Sequence, residues 1–233
     1  MAFYMEGCFI CGAHLVYAET MELYRCFRCN EEYAVNVICE KGHYICDACH
    51  AEEGIFSITQ FVSKTSSRDP VFIATELMKV PYINMHGPEH HYLVAASLLA
   101  AYRNAGGEID LEKALGVIRE RAKSVPGGIC GMWGSCGAAI ATGIFVSVIT
   151  GSTPLSTVEW SLANQMTSKS LATISSHGGP RCCKRNTYLA ISEAVKYAKN
   201  SFAVTMELPE KIQCQFFHRN KECRQNKCIY FGR

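Results

Sequence analysis

The sequence predicts a mainly α-helical protein that begins with a small zinc-binding module of short strands. Three observations support this: closely spaced cysteine pairs within residues 1–50, helical patterns from residue 71 onward, and an irregular, cysteine-rich carboxy terminus. The 233 residues are enough for one large domain or two small ones. We expect a zinc-binding module at 1–62, a linker at 63–70, and a helical domain at 71–233 that carries a second cysteine site.

The cysteine content indicates metal binding rather than disulfide bonding. The chain contains 14 cysteines, yet residues 1–12 show neither the basic start nor the apolar core of a secretion signal. We therefore expect a cytoplasmic protein whose thiols stay reduced and serve as metal ligands or redox groups. The longest apolar run, 138–150, is too short to cross a bilayer, so we predict no membrane segment.

Four ligand pairs fill the amino-terminal region. Two thiols separated by two residues can occupy two corners of a tetrahedral zinc ion. Four pairs supply eight ligands, enough for two zinc ions. Gly12 and Gly42 stand where such knuckles need unusual backbone angles. The pairs are Cys8 with Cys11, Cys26 with Cys29, Cys39 with His43, and Cys46 with Cys49.

The spacing leaves the order of pairing open. A linear arrangement joins the first pair to the second, whereas a cross-brace joins the first to the third and resembles RING-like and treble-clef modules. His50 is an alternative to His43. Sites with four protein ligands have no open coordination position, so their role is structural. A protein contact surface is the natural use of such a module.

Six helices are expected after the linker. Asp110 is a candidate N-cap for the third of these helices, and Ser156 with Glu159 has capping-box spacing at the start of the fifth. Glycine-rich or proline-containing turns separate most of them. The predicted helices are Val71–Met78, His90–Tyr102, Leu111–Lys123, Ala138–Thr150, Ser156–Ile174 and Asn186–Lys199.

A histidine-rich turn at residues 86–91 is a candidate catalytic element. Gly87 and Pro88 enforce a turn, and Glu89 begins a helix. We predict acid/base roles for three side chains because imidazole and carboxylate groups suit proton transfer. The alternative is a helix cap in which one histidine donates to a backbone carbonyl. The predicted catalytic residues are His86, Glu89 and His90.

A glycine-rich loop at residues 127–139 contains Cys130 and Cys136. Glycine lets the backbone approach a ligand closely, and a helix N-terminus after Cys136 favours its thiolate. These properties suit a nucleophile, a cluster ligand or a redox thiol equally. A disulfide between Cys130 and Cys136 is a further alternative.

Five more cysteines follow in a basic region, and with the glycine loop they form the predicted ligand pool of a [4Fe–4S] cluster. Zinc bound by three tail cysteines and His218 is the competing interpretation. Arg181 and Arg185 are predicted to bind an anionic substrate. The ligand pool is Cys130, Cys136, Cys182, Cys183, Cys214, Cys223 and Cys228.

Charge is distributed unevenly along the chain. Residues 1–67 carry four Lys/Arg against nine Asp/Glu, a net charge of −5, whereas residues 177–233 carry eleven against four, a net charge of +7. The acidic module disfavours nucleic acid. The basic tail favours an anionic partner, and a small anionic substrate is the preferred interpretation. Nucleotide or RNA binding by the tail is a weaker alternative, because few aromatic residues are present there to stack on bases.

Three motifs together resemble an uncharacterised prokaryotic family found in anaerobes and archaea. They are the His-Gly-Pro-Glu-His-His turn at 86–91, the Gly-Gly-x-Cys-Gly…Gly-x-Cys-Gly-Ala loop at 127–138, and the cysteine-rich tail. The resemblance covers about residues 71–231. It implies that the motifs belong to one site, and it implies no activity.

The sequence thus favours a metalloprotein in which an iron–sulfur cluster serves an enzyme of lyase, sulfur-transfer or redox type. Its substrate is expected to be a small anion, and its zinc module structural. The alternative is a non-enzymatic zinc protein in which the module recruits a protein partner and the helical domain is a scaffold.

Overall fold

Within the residues that the computed structural model describes, 8 and 10–232 without the side chains of Asp47 and His50, two strands precede eight α-helices. The predicted fold class, mainly helical with a small stranded module at the amino terminus, is confirmed. No helix in this described part of the chain pairs enough length with enough apolar character to traverse a bilayer.

The six predicted helices are present with shifts of a few residues at their ends, whereas the helices Asp47–Lys64 and Ile129–Met132 were not predicted. The strands are β1 (Leu15–Arg25) and β2 (Glu32–Cys39). The helices are α1 (Asp47–Lys64), α2 (Pro70–Met78), α3 (Glu89–Asn104), α4 (Leu111–Lys123), α5 (Ile129–Met132), α6 (Gly137–Ile149), α7 (Val158–Ser176) and α8 (Cys183–Phe202). The tail adds two 3-10 turns, Phe217–Arg219 and Gln225–Lys227.

The chain divides into two units, Met1–Gly54 and Ile55–Arg233, whereas the sequence suggested a module that ends at residue 62. Helix α1 includes this boundary. Its second half turns Ile55, Ile58 and Val62 toward the helical core, where all three are buried. Because Lys64 ends α1 and α2 begins at Pro70, the connection is residues 65–69 rather than 63–70.

The first unit is built on an antiparallel hairpin. Leu15 pairs with Cys39 and Arg25 with Glu32, and the register is irregular between Tyr17 and Glu22. The hairpin side chains are largely exposed. Among the described residues from 8 to 53, the buried positions are four cysteines, so thiols occupy the place of an apolar core. These are Cys8, Cys26, Cys39 and Cys46.

Helix α3 is the centre of the second unit. Every residue from Glu89 to Tyr102 is buried, since α2, α4, α6 and α8 all contact this helix. A helix that is apolar on all sides belongs in a core. Helices α6 and α7 approach each other closely at Gly143, where a Cβ atom would overlap the Thr167 side chain.

Two helix caps were predicted from the sequence, and the structure confirms one of them. Asp110 Oδ1 accepts a hydrogen bond from the Lys113 amide at 3.1 Å, so that cap is confirmed. The capping box predicted at Ser156 is wrong. Helix α7 begins at Val158 without a side-chain cap, because Ser156 Oγ instead accepts from the Thr153 amide at 3.0 Å.

Candidate metal centres and adjacent cavities

Both ligand sets predicted in the first unit are assembled. The four ligand atoms of each set lie within 4.8 Å of one another. The sets join the first pair to the third and the second pair to the fourth, which is the cross-brace arrangement. His43 supplies the nitrogen ligand; the side chain of its alternative, His50, lies outside the described residues. The sets are Cys8, Cys11, Cys39 and His43, and Cys26, Cys29, Cys46 and Cys49.

The interatomic distances fit tetrahedral zinc. Cys11 Sγ lies 3.5 Å from Cys39 Sγ, and Cys29 Sγ lies 3.8 Å from Cys46 Sγ. Zinc–sulfur bonds of about 2.3 Å in a tetrahedron place two sulfurs roughly 3.8 Å apart. His43 Nδ1, 3.3 Å from Cys11 Sγ, completes the first set. Each set offers four ligands and can therefore hold a metal ion in a closed shell.

Backbone amides donate hydrogen bonds to several of these cysteine sulfurs. Amide donors stabilise the thiolate, which is the form that binds a cation. Burial raises the pKa of Cys26, but the amides of Cys46 and its own knuckle outweigh burial and lower it to about 6. Gly12 and Gly42 adopt the positive φ angles expected, 71° and 81°. The donors are Ile10 to Cys8 (3.4 Å), Arg28 to Cys26 (3.5 Å) and Lys41 to Cys39 (3.3 Å).

Four cysteines of the second unit surround one small cavity. One comes from the N-cap of α8 and three come from separate places in the tail, with Asn220 among them. The rest of the wall is formed by aromatic, aliphatic and charged side chains, which are Met85, Pro180, Arg185, Phe217, Glu222, Arg224, Tyr230 and Phe231. The fold thus brings together four of the seven residues of the predicted cluster pool. They are Cys182, Cys214, Cys223 and Cys228.

The amide pattern of the cysteine knuckles in the first unit recurs around this cavity. The amide two residues after Cys214 donates to its sulfur at 3.4 Å, and the amide two residues after Cys223 does the same at 3.4 Å. Cys182 Sγ accepts from the Arg185 amide at 3.5 Å and from Asn220 Nδ2 at 3.7 Å. These sulfurs therefore have the donors that a bound thiolate needs.

The tail cysteines are spaced more widely than the zinc ligands. Among the described residues, the two sets of the first unit are the groups of three or more ligands within 4.8 Å of one another. The pKa of Cys214 is raised to about 11. Burial is the main cause, the charges of Cys182 and Cys228 add to it, and the hydrogen bond from the Phe216 amide opposes it. The four sulfurs are thus neighbours without forming a tetrahedral set, and His218 does not complete one with them.

The histidine turn is held by its own carboxylate. Glu89 is buried, and its Oε1 accepts a hydrogen bond from the Asn84 amide at 2.8 Å. Gly87 is required here because a Cβ atom would overlap that carboxylate. His91 Nδ1 donates to the Val125 carbonyl at 3.1 Å, so this ring is a structural contact. His86 is half-buried, and its Nε2 lies 3.3 Å from Asn220 Oδ1.

A buried lysine joins the turn to α8. Lys184 is fully buried, and its Nζ donates to the Asn84 carbonyl at 2.8 Å and lies 3.1 Å from His90 Nε2. Because His90 Nδ1 must donate to the Gly87 carbonyl at 3.1 Å, Nε2 is left to accept from lysine. Burial and the Arg219 charge lower the pKa of Lys184 to about 7. Both His90 nitrogens are therefore engaged within the protein.

Two neighbouring cavities open beside the glycine loop. Their volumes are about 360 Å³ and about 700 Å³, which is the size range of small-molecule sites. Three histidines of the turn, at 86, 90 and 91, line the smaller one together with Cys182 and Cys183, whereas α7 and the loop at 178–180 line the larger one. Cys130, Cys136, Arg181 and Asn186 line both.

The two predicted substrate-binding arginines differ in setting. Arg181 is exposed and lines both cavities. Arg185 is buried, and its Nη2 donates to the carbonyls of Gly178 at 2.8 Å and Pro180 at 3.0 Å. The geometry leaves Arg181 available to a ligand, while Arg185 holds the loop that forms the cavity wall.

The sequence pointed to Lys184 only as one of the cations of the basic region, and it gave no role to Asn186 or Asn220. For Lys184 a signal existed: in α8 it shares a helix face with the buried Tyr188 and Ile191, an unusual place for a lysine. Asn186 and Asn220 carried no such signal, because their importance comes from sulfur atoms that lie 50 and 38 residues away in the chain.

Comparisons with known proteins agree with the grouping of these motifs. No curated protein and no solved structure matches the chain. A family model, described as a family of unknown function (DUF5714), matches residues 58–231. The match spans the histidine turn, the glycine loop and the cysteine-rich tail, so the resemblance inferred from those motifs is confirmed. On this match over most of its length, the chain belongs to the family of unknown function DUF5714.

Proposed function

We propose that the second unit is an iron–sulfur enzyme that acts on a small anion, and that the first unit is a structural zinc module. The observation that carries the proposal is the convergence of Cys182, Cys214, Cys223 and Cys228 on one enclosed cavity. The first and last of these cysteines, Cys182 and Cys228, are 46 residues apart in the sequence. Cys182 comes from the N-cap of α8 and the other three from the tail, so the fold rather than sequence proximity groups these four potential ligands.

The spacing favours an iron–sulfur cluster over zinc. Four thiolates of a single zinc ion lie within 4.8 Å of one another, as they do in the first unit. In a [4Fe–4S] cluster each thiolate binds a different iron atom, so the sulfurs lie farther apart. The wider set in the tail suits the cluster. Four thiolates would complete its shell, so the chemistry it supplies when bound is electron transfer.

The neighbouring cavities support an anionic substrate. The charged side chains that line them, within the described residues, are the cationic Arg181 and Arg185. Carboxylates do not line either cavity in that part of the chain, since Glu89 is turned toward the Asn84 amide. An anion is the ligand that such a lining attracts.

His86 is the proton-transfer group that suits this site best. It lines the smaller cavity, and within the described residues its buried Nδ1 has no hydrogen-bond partner. Burial lowers the pKa of His86 against the opposing hydrogen bond to Asn220, so the ring is neutral and can accept a proton. In contrast, His90 and Glu89 serve to hold the turn in place.

Anaerobic purification tests the cluster. The intact chain should contain iron and acid-labile sulfide, with broad visible absorption that bleaches on reduction. Cys214→Ser should lose the iron and the absorption, because it removes one of the four thiolates. Cys183→Ser is the matched control, since Cys183 is the sequence neighbour of Cys182 but does not line the four-cysteine cavity, here called the tail cavity.

Two results would contradict the proposal. One is a colourless protein that contains zinc alone. The other is equal iron in Cys214→Ser and wild type. Helical circular dichroism identifies a variant that fails to fold, and Cys223→Ser then provides a second, independently placed test.

A second function is favoured by one feature of the first unit. Its hairpin exposes large apolar side chains, including Tyr17 and Leu23 at 73% and 71% exposure, which is typical of a protein contact surface. A photo-crosslinking residue placed at Tyr17 should join a specific protein in the native cell. The same residue placed at the exposed Lys41 should not; equal labelling from both positions would exclude this surface.

A further inference from the structure

Three thiols beside the glycine loop have no place in the proposed cluster shell. Cys130, Cys136 and Cys183 line the cavity of about 360 Å³, and the first two also line the cavity of about 700 Å³. None of the three lines the tail cavity. Of these, Cys136 has contact with both cavities and a defined hydrogen-bond partner.

The Cys136 sulfur is positioned by two buried side chains. Asn186 Nδ2 donates to Cys136 Sγ at 3.3 Å, and Arg185 Nε donates to Asn186 Oδ1 at 3.2 Å. An arginine donates only, so its contact fixes the amide with the NH₂ end toward the sulfur. Asn186 and Arg185 are 6% and 5% exposed, which means that this arrangement is part of the protein interior.

Cys136 lies at the start of helix α6. It is the N-cap residue of this 13-residue helix, and its sulfur makes no capping hydrogen bond, so the helix does not engage the thiol. Gly137 allows the close approach of the His91 ring, which a Cβ atom would overlap. The Cys136 sulfur is therefore accessible from the cavities that it lines and is oriented by Asn186.

We propose that Cys136 accepts a sulfane sulfur atom from a small anionic donor that is bound beside Arg181. The cavity holds three thiols besides Cys182, which suits exchange at a sulfur–sulfur bond, and a cationic lining suits a charged donor. The inference rests on the proposed function in one respect, which is that the ligand of these cavities is a small anion.

The step is balanced without an oxidant or a reductant. With thiosulfate as the donor, the Cys136 thiolate attacks the outer sulfur and forms a new sulfur–sulfur bond. The bond between the two sulfurs of thiosulfate breaks, and its electron pair leaves with sulfite. The products are a Cys136 persulfide anion and one sulfite dianion. Arg181 contacts the sulfonate oxygens, and the Asn186 amide orients the attacking sulfur.

Peptide mapping after incubation with thiosulfate tests the step on the anaerobically purified full chain. We expect the mass of one added sulfur atom on the peptide that contains Cys136, with one sulfite released per chain. Cys136→Ser should release none, whereas Lys169→Gln, at an exposed cation of α7 that lines neither cavity, should still carry the added sulfur on Cys136. No added sulfur on wild type, or equal addition to the zinc-module cysteines, would overturn the proposal.

The anion contact has its own test. Iodoacetate and iodoacetamide alkylate the same thiol but differ in charge. Arg181→Gln should reduce the iodoacetate rate at Cys136 about fivefold relative to the iodoacetamide rate, because a nearby charge acts on the anion alone. Lys169→Gln, an exposed cation of α7, is the control and should leave the ratio unchanged. An unchanged ratio in Arg181→Gln would remove Arg181 from the proposal.

The positioning role of Asn186 is tested by comparing two thiols in one protein. Asn186→Leu should slow the iodoacetamide reaction of Cys136 about tenfold, which corresponds to one hydrogen bond to a charged group. Cys130 in the same chain should react as in wild type. If both thiols change together, the substitution has altered the cavity as a whole and the positioning role is wrong.

The failure of this inference and of the proposed function are distinguishable. Iron in the protein without sulfur on Cys136 rejects only the sulfur-transfer step. Sulfur on Cys136 in a protein without iron rejects only the cluster. Cys214→Ser separates the two directly, because it should lose iron and keep the Cys136 reaction.

Discussion

At the scale of single residues, the buried histidines give the second unit a defined response to acid. Burial lowers the pKa of His91 from its usual 6.5, and the Val125 carbonyl opposes this only in part. The unfolded chain therefore binds a proton below about pH 6.5 that the folded chain resists. Stability is complete above that pH and is lost as the pH falls toward the lowered value.

His91→Gln should flatten this acid dependence. A glutamine can still donate to the Val125 carbonyl but does not titrate. We expect the variant to lose less stability than wild type between about pH 7 and about pH 5, because the lowered pKa of His91 no longer contributes to the acid response. Urea unfolding at the two pH values measures it. His218→Gln, at an exposed histidine, is the control and should follow wild type.

The candidate residues were predictable as types but not as contacts. Cysteine spacing identified all eight ligands of the first unit because the two members of each knuckle are near in sequence. The four-cysteine cavity depends on Cys182 meeting three cysteines of the tail, a contact that only the fold creates. The contacts of Lys184 were missed for the same reason: its partners, Asn84 and His90, belong to a different helix and turn.

At the scale of elements, the contact between α6 and α7 depends on a missing side chain. A Cβ atom on Gly143 would overlap Thr167 Oγ1 and lie 3.1 Å from the Ala163 carbonyl, which is backbone and cannot move aside. Gly143→Ala should therefore lower the free energy of unfolding by about 2 kcal/mol, as overpacking does. Denaturant unfolding followed by circular dichroism measures this.

Gly116→Ala is the matched control for that prediction. Gly116 lies inside α4, and a Cβ atom there would meet nothing within 4 Å. Alanine should be neutral or stabilise the protein by about 0.5–1 kcal/mol, since it restricts the unfolded chain. A similar loss in both variants would show that the α6–α7 contact does not control the response, because alanine favours a helix more than glycine does.

Helices were predictable where apolar periodicity and stop signals coincide. Leu111–Lys123 was predicted with both ends correct, because Asp110 caps it and Pro126 follows. Helix α8 begins three residues before the predicted Asn186, at Cys183. Sequence reasoning assigned the cysteine doublet to a ligand loop, whereas the Cys182 side chain caps the helix by accepting from the Arg185 amide.

At the scale of the whole molecule, the two units should respond differently to metal removal. The buried positions of the first unit, among its described residues up to 53, are thiols. Without an ion these thiols cannot hold the hairpin, because metal binding supplies the folding free energy of such modules. The second unit has its own apolar core around α3.

Chelation of the intact chain should unfold the first unit and leave the helices. We expect release of two zinc ions, loss of amide dispersion for residues 10–46, and helical circular dichroism near that of the untreated protein. Restoring zinc should restore the hairpin signals. A cooperative loss of helix together with zinc would contradict the separate stability of the second unit. Cys26→Ser should release one ion and weaken only one of the two sets.

Cys182 and Cys183 are adjacent in sequence but differ in the cavities that they line. Cys182 lines both the four-cysteine cavity and the cavity of about 360 Å³ beside the histidine turn. Of these two cavities, Cys183 lines only the second. The two cavities thus have Cys182 in common. A negative group bound in one of them would raise the electrostatic cost of placing a second negative group in the other, because the protein between them has a low dielectric constant.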